Sequence, residues 1–188
     1  LILNQHTNID VEVRKTYNLS KTHIATRPFC LFISYSGNTE ETVSAAKDAI
    51  DKNLEWAAIS SGGELLELAN KYNKKFVKVP DRLQPRAAFG LMTKAVINFL
   101  PDRNKEIFIN ACEEAGNYLN NLTEDDSSKV FEISKNIASQ IGSKTAIIYA
   151  GSDLTYLVAQ RWKTQINENS KSKAYVGFMP EIHHNEIL

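Results

Sequence analysis

Apolar residues occur in two rhythms along this chain, short unbroken runs and helical spacings, and the two alternate. The run Phe29-Cys30-Leu31-Phe32-Ile33 is continuous and aromatic-rich, as expected of a parallel strand buried on both faces. A polar turn from Ser34 to Asn38 leads into a helical stretch over 39–52, where Val43, Ala46 and Ile50 recur between charges. A second strand is expected at 55–60, a turn at Gly62-Gly63, a helix over 64–71 and a third strand at 75–79. An earlier short strand, 11–14, is assigned to the same sheet. Units this short, in this order, predict an α/β layer around a parallel sheet.

Beyond Pro85 the strand signal fades. Three helices are predicted between 86 and 141. Phe89, Met92, Val96 and Phe99 mark the first face, Ile107, Ala111, Ala115 and Leu119 the second, and the third runs over 125–141. The run 145–150 then reads as another buried strand, followed by Gly151-Ser152 and a helix through Gln165. A second α/β unit opens there. From Glu168 to His184 the chain reads as a polar excursion from the helix end rather than a core element. No solenoid-range repeat or low-complexity tract interrupts the pattern.

Composition narrows the function classes. The chain has 188 residues, 43% of them hydrophobic, enough for a sizeable core. Its 22 basic and 22 acidic side chains cancel, which argues against nucleic acid or an anionic membrane as a partner reached by bulk charge. No apolar run approaches the ~18 residues of a membrane span, and no signal peptide opens the chain. A soluble, cytoplasmic protein is expected. The first residue is Leu, which suggests that the sequence is incomplete at that end. Cys30 and Cys112 fit no metal or redox spacing, and Cys30 is expected to be a small core residue. Sequons at Asn18 and Asn121 mean little without a secretion signal.

The sharpest chemical signal is Ser34-Tyr35-Ser36-Gly37-Asn38-Thr39-Glu40-Glu41-Thr42, where a buried strand turns into a helix. A helix N-terminus presents unpaired N–H groups and partial positive charge. Gly37 allows close backbone approach, and Ser34, Ser36 and Thr39 add hydroxyl donors, a combination suited to phosphate. An ordinary N-cap explains the same residues without a ligand. Neither the Walker nor the dinucleotide glycine pattern is present. Arg86 follows a proline and opens an apolar helix, so its guanidinium is expected to project from the helix start, unless it only forms a surface ion pair. Glu168 lies in a polar stretch at a helix end, where a solvated face is the plain reading. Glu181, His183, His184 and Glu186 could be read as metal ligands, but no Cys or further His stands at a supporting spacing. No metal and no cofactor is expected.

Taken together, the turn at 34–39, Ser60-Ser61-Gly62-Gly63, Gln84-Pro85-Arg86-Ala87-Ala88, Asn167-Glu168-Asn169-Ser170-Lys171 and His183-His184-Asn185-Glu186 resemble the bifunctional phosphoglucose/phosphomannose isomerase family. The turn at 34–39 is similar to the phosphate loop of sugar isomerase (SIS) domains. The resemblance implies a three-layer α-β-α fold with a parallel sheet, in two tandem SIS domains. Both are incomplete in this chain: a first domain over 1–84, a helical connection over 85–142 and the start of a second domain over 143–188. It also implies an earlier strand with a Gly-Gly-Ser turn, and a later Lys and hydroxyl residue, none of which is in this sequence.

The implied activity interconverts glucose 6-phosphate or mannose 6-phosphate with fructose 6-phosphate. The resemblance gives Glu168 the proton transfer between C1 and C2 through a cis-enediolate. Arg86 stabilises that intermediate, His184 opens the sugar ring, and Ser34, Ser36 and Thr39 hold the phosphate. It further implies a homodimer in which His184 comes from the partner chain. A non-catalytic phosphosugar-binding or regulatory SIS protein is the alternative, and it has no need of Glu168 with His184.

Overall fold

A computed structural model of the chain describes residues 9–124, 127–151 and 153–186. These residues divide into two compact units, one of them Glu12–Cys112 and the other the described residues from Glu113 on together with 9–11.

The N-terminal unit begins with a short helix α1 (Lys21–Thr26) that the apolar pattern did not signal. β1 (Cys30–Ile33), α2 (Glu40–Asp51), β2 (Trp56–Ser60), α3 (Gly63–Lys71) and β3 (Lys75–Lys78) follow at the expected places. The strands form one parallel sheet in the order β1-β2-β3, with Phe32 beside Ala58 and Ala58 beside Phe76. Residues 11–14 form no strand, which corrects the expectation of a further strand in this sheet.

Side-chain alternation along the strands sorts the core into two faces. On one face Phe32, Trp56 and Ala58 pack against Ala45, Ala46 and Ala49 of α2 and Leu65 and Ala69 of α3. Phe32 and Trp56 meet edge to face at 5.9 Å, a favoured aromatic geometry. On the other face Ile59 and Val79 pack against Ala95 of α4 (Phe89–Ile97), with Leu31, Tyr35 and Met92 at the margin. The unit is therefore helices, sheet and helix in three layers. β2 is buried along its whole length, as a central strand must be. β1 is not. It lies at the edge of the three-stranded sheet, and Ile33 is 43% exposed with the adjoining Phe29 at 55%. An unbroken apolar run cannot distinguish a central parallel strand from an edge one, since both carry the same residue types.

Two long helices follow, α5 (Asp102–Glu124) and α6 (Ser127–Ile141). Together with α4 they supply the three helices expected between 86 and 141.

In the C-terminal unit, β4 (Ala146–Ala150), α7 (Asp153–Gln165) and β5 (Ala174–Phe178) make a parallel βαβ unit, with Ala146 beside Ala174 and Ala150 beside Phe178. Tyr156 of α7 packs edge to face on Phe178 at 5.1 Å. Ala150, Ala159, Ala174 and Ile182 are buried. β5 corrects the sequence reading: the supposed excursion between Glu168 and His184 contains a core strand. Among the described residues, no helix is long and apolar enough to cross a membrane.

Candidate functional site

All three strands of the N-terminal sheet run the same way, so their C-terminal ends share one rim, where open α/β sheets bind ligands. Three segments leave it: the turn at 34–39, the turn at 60–63 and the loop after Val79. The first two are interlocked. Gly37 and Gly63 both have positive φ, +72° and +70°. A Cβ on Gly37 would meet the Gly62 carbonyl, and one on Gly63 would meet the Ser36 carbonyl and Asn38. Only glycine fits either position. Hydrogen bonds cross the gap: Leu65 N–H donates to Gly37 O at 3.0 Å, and Glu64 N–H to Asn38 Oδ1 at 2.9 Å. Buried Ser60 closes its own turn, donating to Gly62 O at 2.7 Å.

Within the first turn the three hydroxyls have different situations. Ser34 is 5% exposed. Its Oγ lies 2.8 Å from Thr39 Oγ1 and accepts the Gly37 N–H at 3.1 Å. Ser36 is exposed, and its Oγ accepts the Asn38 N–H at 3.2 Å. Thr39 is the N-cap of α2 by backbone, yet makes no side-chain capping hydrogen bond. Its hydroxyl faces Ser34 instead. The ordinary N-cap reading of these residues therefore fails, and the first turn of α2 keeps the electropositive end that an anion needs. Glu40 and Glu41 stand in that same turn. Their charge, Glu41 first and then Glu40, holds the phenol of Tyr17 above its ordinary range.

Tyr35, between the two serines, joins all three segments of the rim. Its carbonyl accepts Ser61 Oγ at 2.6 Å and Ser61 N–H at 2.9 Å. Its phenol donates to Pro80 O at 3.0 Å and accepts Leu83 N–H at 2.9 Å. The loop thus held continues into a 3-10 turn, Pro85–Ala87, that carries Arg86. Arg86 sits just ahead of α4 rather than within it. It is half-buried, with Nη1 3.4 Å from Gln84 Oε1.

In the C-terminal unit, α7 ends in a π-helical turn, Ile166–Ser170, a local irregularity that is frequent at functional sites. Glu168 is exposed on it. Asn167 Oδ1 accepts the N–H of Ala174, the first residue of β5, at 2.9 Å and fixes the turn to that end of the strand. His184 is exposed on the short helix α8 (Ile182–Asn185) that follows β5. α8 is seated by buried Ile182 beside Gly177, near the strand's other end. The two anchors are three strand residues apart, about 10 Å.

Sequence reasoning passed over Tyr35 and Asn167, since neither type suggests chemistry by itself. The available signals were an aromatic residue between two phosphate-loop serines, and an Asn just before the candidate base. Among the described residues, no three His, Cys, Asp or Glu side chains gather as metal ligands would.

Comparison with known proteins bears on the family and the fold. Residues 132–188 match the family described as bacterial phospho-glucose isomerase C-terminal SIS domain. A bifunctional phosphoglucose/phosphomannose isomerase of Thermoplasma acidophilum is 41% identical over 83% of this chain and 46% of its own length. A D-glucosamine-6-phosphate 4-epimerase of Sulfolobus acidocaldarius is 31% identical over 92% of this chain and 54% of its own. A crystal structure of a Bacillus subtilis protein assigned as a phosphosugar isomerase superposes with a TM-score of 0.61 at 22% identity. It covers 87% of this chain and 52% of that one, and shows the shared fold. The chain spans about half the length of the curated relatives it matches. Residues 132–188 thus match the C-terminal SIS domain of bacterial phospho-glucose isomerases, and over most of its length the chain is similar to bifunctional phosphoglucose/phosphomannose isomerases.

Proposed function

We propose that the intact protein is a cytoplasmic aldose–ketose isomerase, converting glucose 6-phosphate or mannose 6-phosphate to fructose 6-phosphate without a metal or redox cofactor. The observation that carries this reading is the turn at 34–39, in which Thr39 leaves the end of α2 without a side-chain cap. Ser36, Thr39 and the first amides of α2 bind the phosphate, with Ser34 behind them. Anchored there, the phosphate supplies binding energy far from C1 and C2 that positions the reacting carbons. The 1–84, 85–142 and 143–188 segments then correspond to a first SIS portion, a helical connection and a second SIS portion.

In this reading His184 opens the pyranose ring by proton transfer at the ring oxygen, work suited to an imidazole. Glu168 takes the C2 proton to give a cis-enediolate and returns a proton to C1. Arg86 stabilises the charge that develops on the enediolate oxygens. Two chains assemble the site, with His184 of one beside Arg86 and Glu168 of the other. Glu168 is exposed in the single chain, where a substrate can reach it.

The test is direct. The purified intact protein, given glucose 6-phosphate or mannose 6-phosphate, is expected to form fructose 6-phosphate. Binding of both sugars with no turnover would favour the non-catalytic phosphosugar-binding reading, which the exposure of both Glu168 and His184 also fits.

A further inference from the structure

We infer that Tyr35 is a positioning residue, which sets Arg86 against the phosphate turn through the loop between them. The inference rests on the isomerase reading above, and goes beyond it by giving a role to a residue that touches no substrate.

Arg86 is useful to an enediolate only if its guanidinium stays fixed while charge develops, because preorganised groups stabilise that charge without reorganising. Val79 N–H still bonds to Ser60 O, as the last contact of the sheet ladder. The next regular element is the three-residue turn Pro85–Ala87. Between them the loop over 80–84 crosses the rim, with Asp81, Arg82, Leu83 and Gln84 exposed.

The phenol of Tyr35 is the long-range anchor in that loop. It donates to Pro80 O and accepts Leu83 N–H, taking one polar group near each end. Arg86 follows Leu83 by three residues, two of them at the Gln84-Pro85 start of the 3-10 turn. Proline there holds its own φ, so little freedom remains between Leu83 and Arg86.

The other end of the same residue is fixed as firmly. The Tyr35 carbonyl accepts two hydrogen bonds from Ser61, through its hydroxyl and its N–H, and the Tyr35 backbone lies between Ser34 and Ser36 of the phosphate turn. Its ring packs at the margin of the Ile59, Val79 and Ala95 cluster, which holds α4, the helix that follows Arg86, against the sheet. One rigid aromatic residue thus links the phosphate turn to Leu83, three residues before the cation, with only two side-chain torsions to order.

Tyr35→Phe removes the phenol oxygen and leaves the ring and carbonyl in place. In the intact protein, affinity for inorganic phosphate should stay within about twofold of wild type, since Ser34, Ser36, Thr39 and α2 are untouched. Hydrogen exchange of the Leu83 amide should accelerate at least about tenfold as its acceptor is lost. The kcat for glucose 6-phosphate should fall about tenfold or more, with KM moving less. If Tyr35 acts through Arg86, Tyr35→Phe should cost little further activity in an Arg86→Met background.

An active wild type whose Tyr35→Phe variant keeps full kcat overturns the inference and leaves the isomerase reading standing. So does a full additive loss in the Arg86→Met background. A wild type that turns over no hexose phosphate removes the isomerase reading and this role with it. Phosphate affinity lost along with activity would place Tyr35 in the stability of the phosphate turn, and would also overturn the inference.

Discussion

Glu168 and His184 hang from opposite ends of β5, the first tied to Ala174 through Asn167 and the second seated by Ile182 near Gly177. The two anchors are three strand residues apart, about 10 Å, and fix the backbone positions from which the two exposed side chains start.

Complementation tests whether two chains share the site. Glu168→Gln and His184→Ala chains should each be inactive alone, and mixing them under subunit exchange should restore activity in the hybrid sites that hold both native groups. Isomerase assays on the mixture, with exchange followed by mass spectrometry, read the outcome. Exchange without recovery would place the whole site in one chain.

Glu168→Gln isolates the chemical step. It keeps shape and hydrogen bonding while removing basicity, so kcat should fall by about 10² or more with substrate still bound. Solvent deuterium should then no longer enter at C2. A Gln variant with near-normal turnover would take the proton transfer away from Glu168.

The interlocked turns make a stability prediction with its own control. Gly37→Ala forces a Cβ into a positive-φ residue and against the Gly62 carbonyl. The φ penalty alone is about 1–2 kcal/mol, and the clash adds to it. Gly62→Ala meets open space in an extended conformation and should change stability much less. Urea unfolding midpoints of the two variants compare them, and equal losses would mean that the turns are not locked.

Burial pushes the Cys30 thiol above its ordinary range. A raised pKa leaves less thiolate at any given pH, and thiolate is the reactive form. Alkylation of Cys30 in the folded protein should therefore need a higher pH than in the urea-unfolded chain. Identical pH profiles in the two states would contradict the buried placement.

From β1 to β3 the N-terminal unit is legible because its elements are short and punctuated by turn residues, and each strand and helix there falls within a residue or two of its expected bounds, whereas α1 carries no apolar signal and the strand expected at 11–14 does not form. What misled was context. Phe29 to Ile33 reads the same at a sheet edge as at its centre, and only pairing reveals the exposure of Ile33. β5 was missed because Ala174-Tyr175-Val176-Gly177-Phe178 is brief, contains Gly, and follows a run of polar residues. Its strand character comes from pairing with β4 and packing under α7, which no local window contains. The candidate phosphate turn was visible as a motif, but the link from Tyr35 to Leu83 joins residues 48 apart in sequence and belongs to the folded chain alone.

The bond between Ser34 and Thr39 changes the arithmetic of donors. Ser34 Oγ already receives the Gly37 N–H, and an oxygen polarised in that way gives up its own proton more readily. Ser34 Oγ and Thr39 Oγ1 stand 2.8 Å apart, so one of their two protons is spent between them and one is left over. A motif with three hydroxyls therefore has two protons, not three, to give a ligand. Replacing Ser34 also changes the hydrogen bonding of Thr39, so a loss of phosphate affinity in such a variant reads on the pair rather than on Ser34 alone.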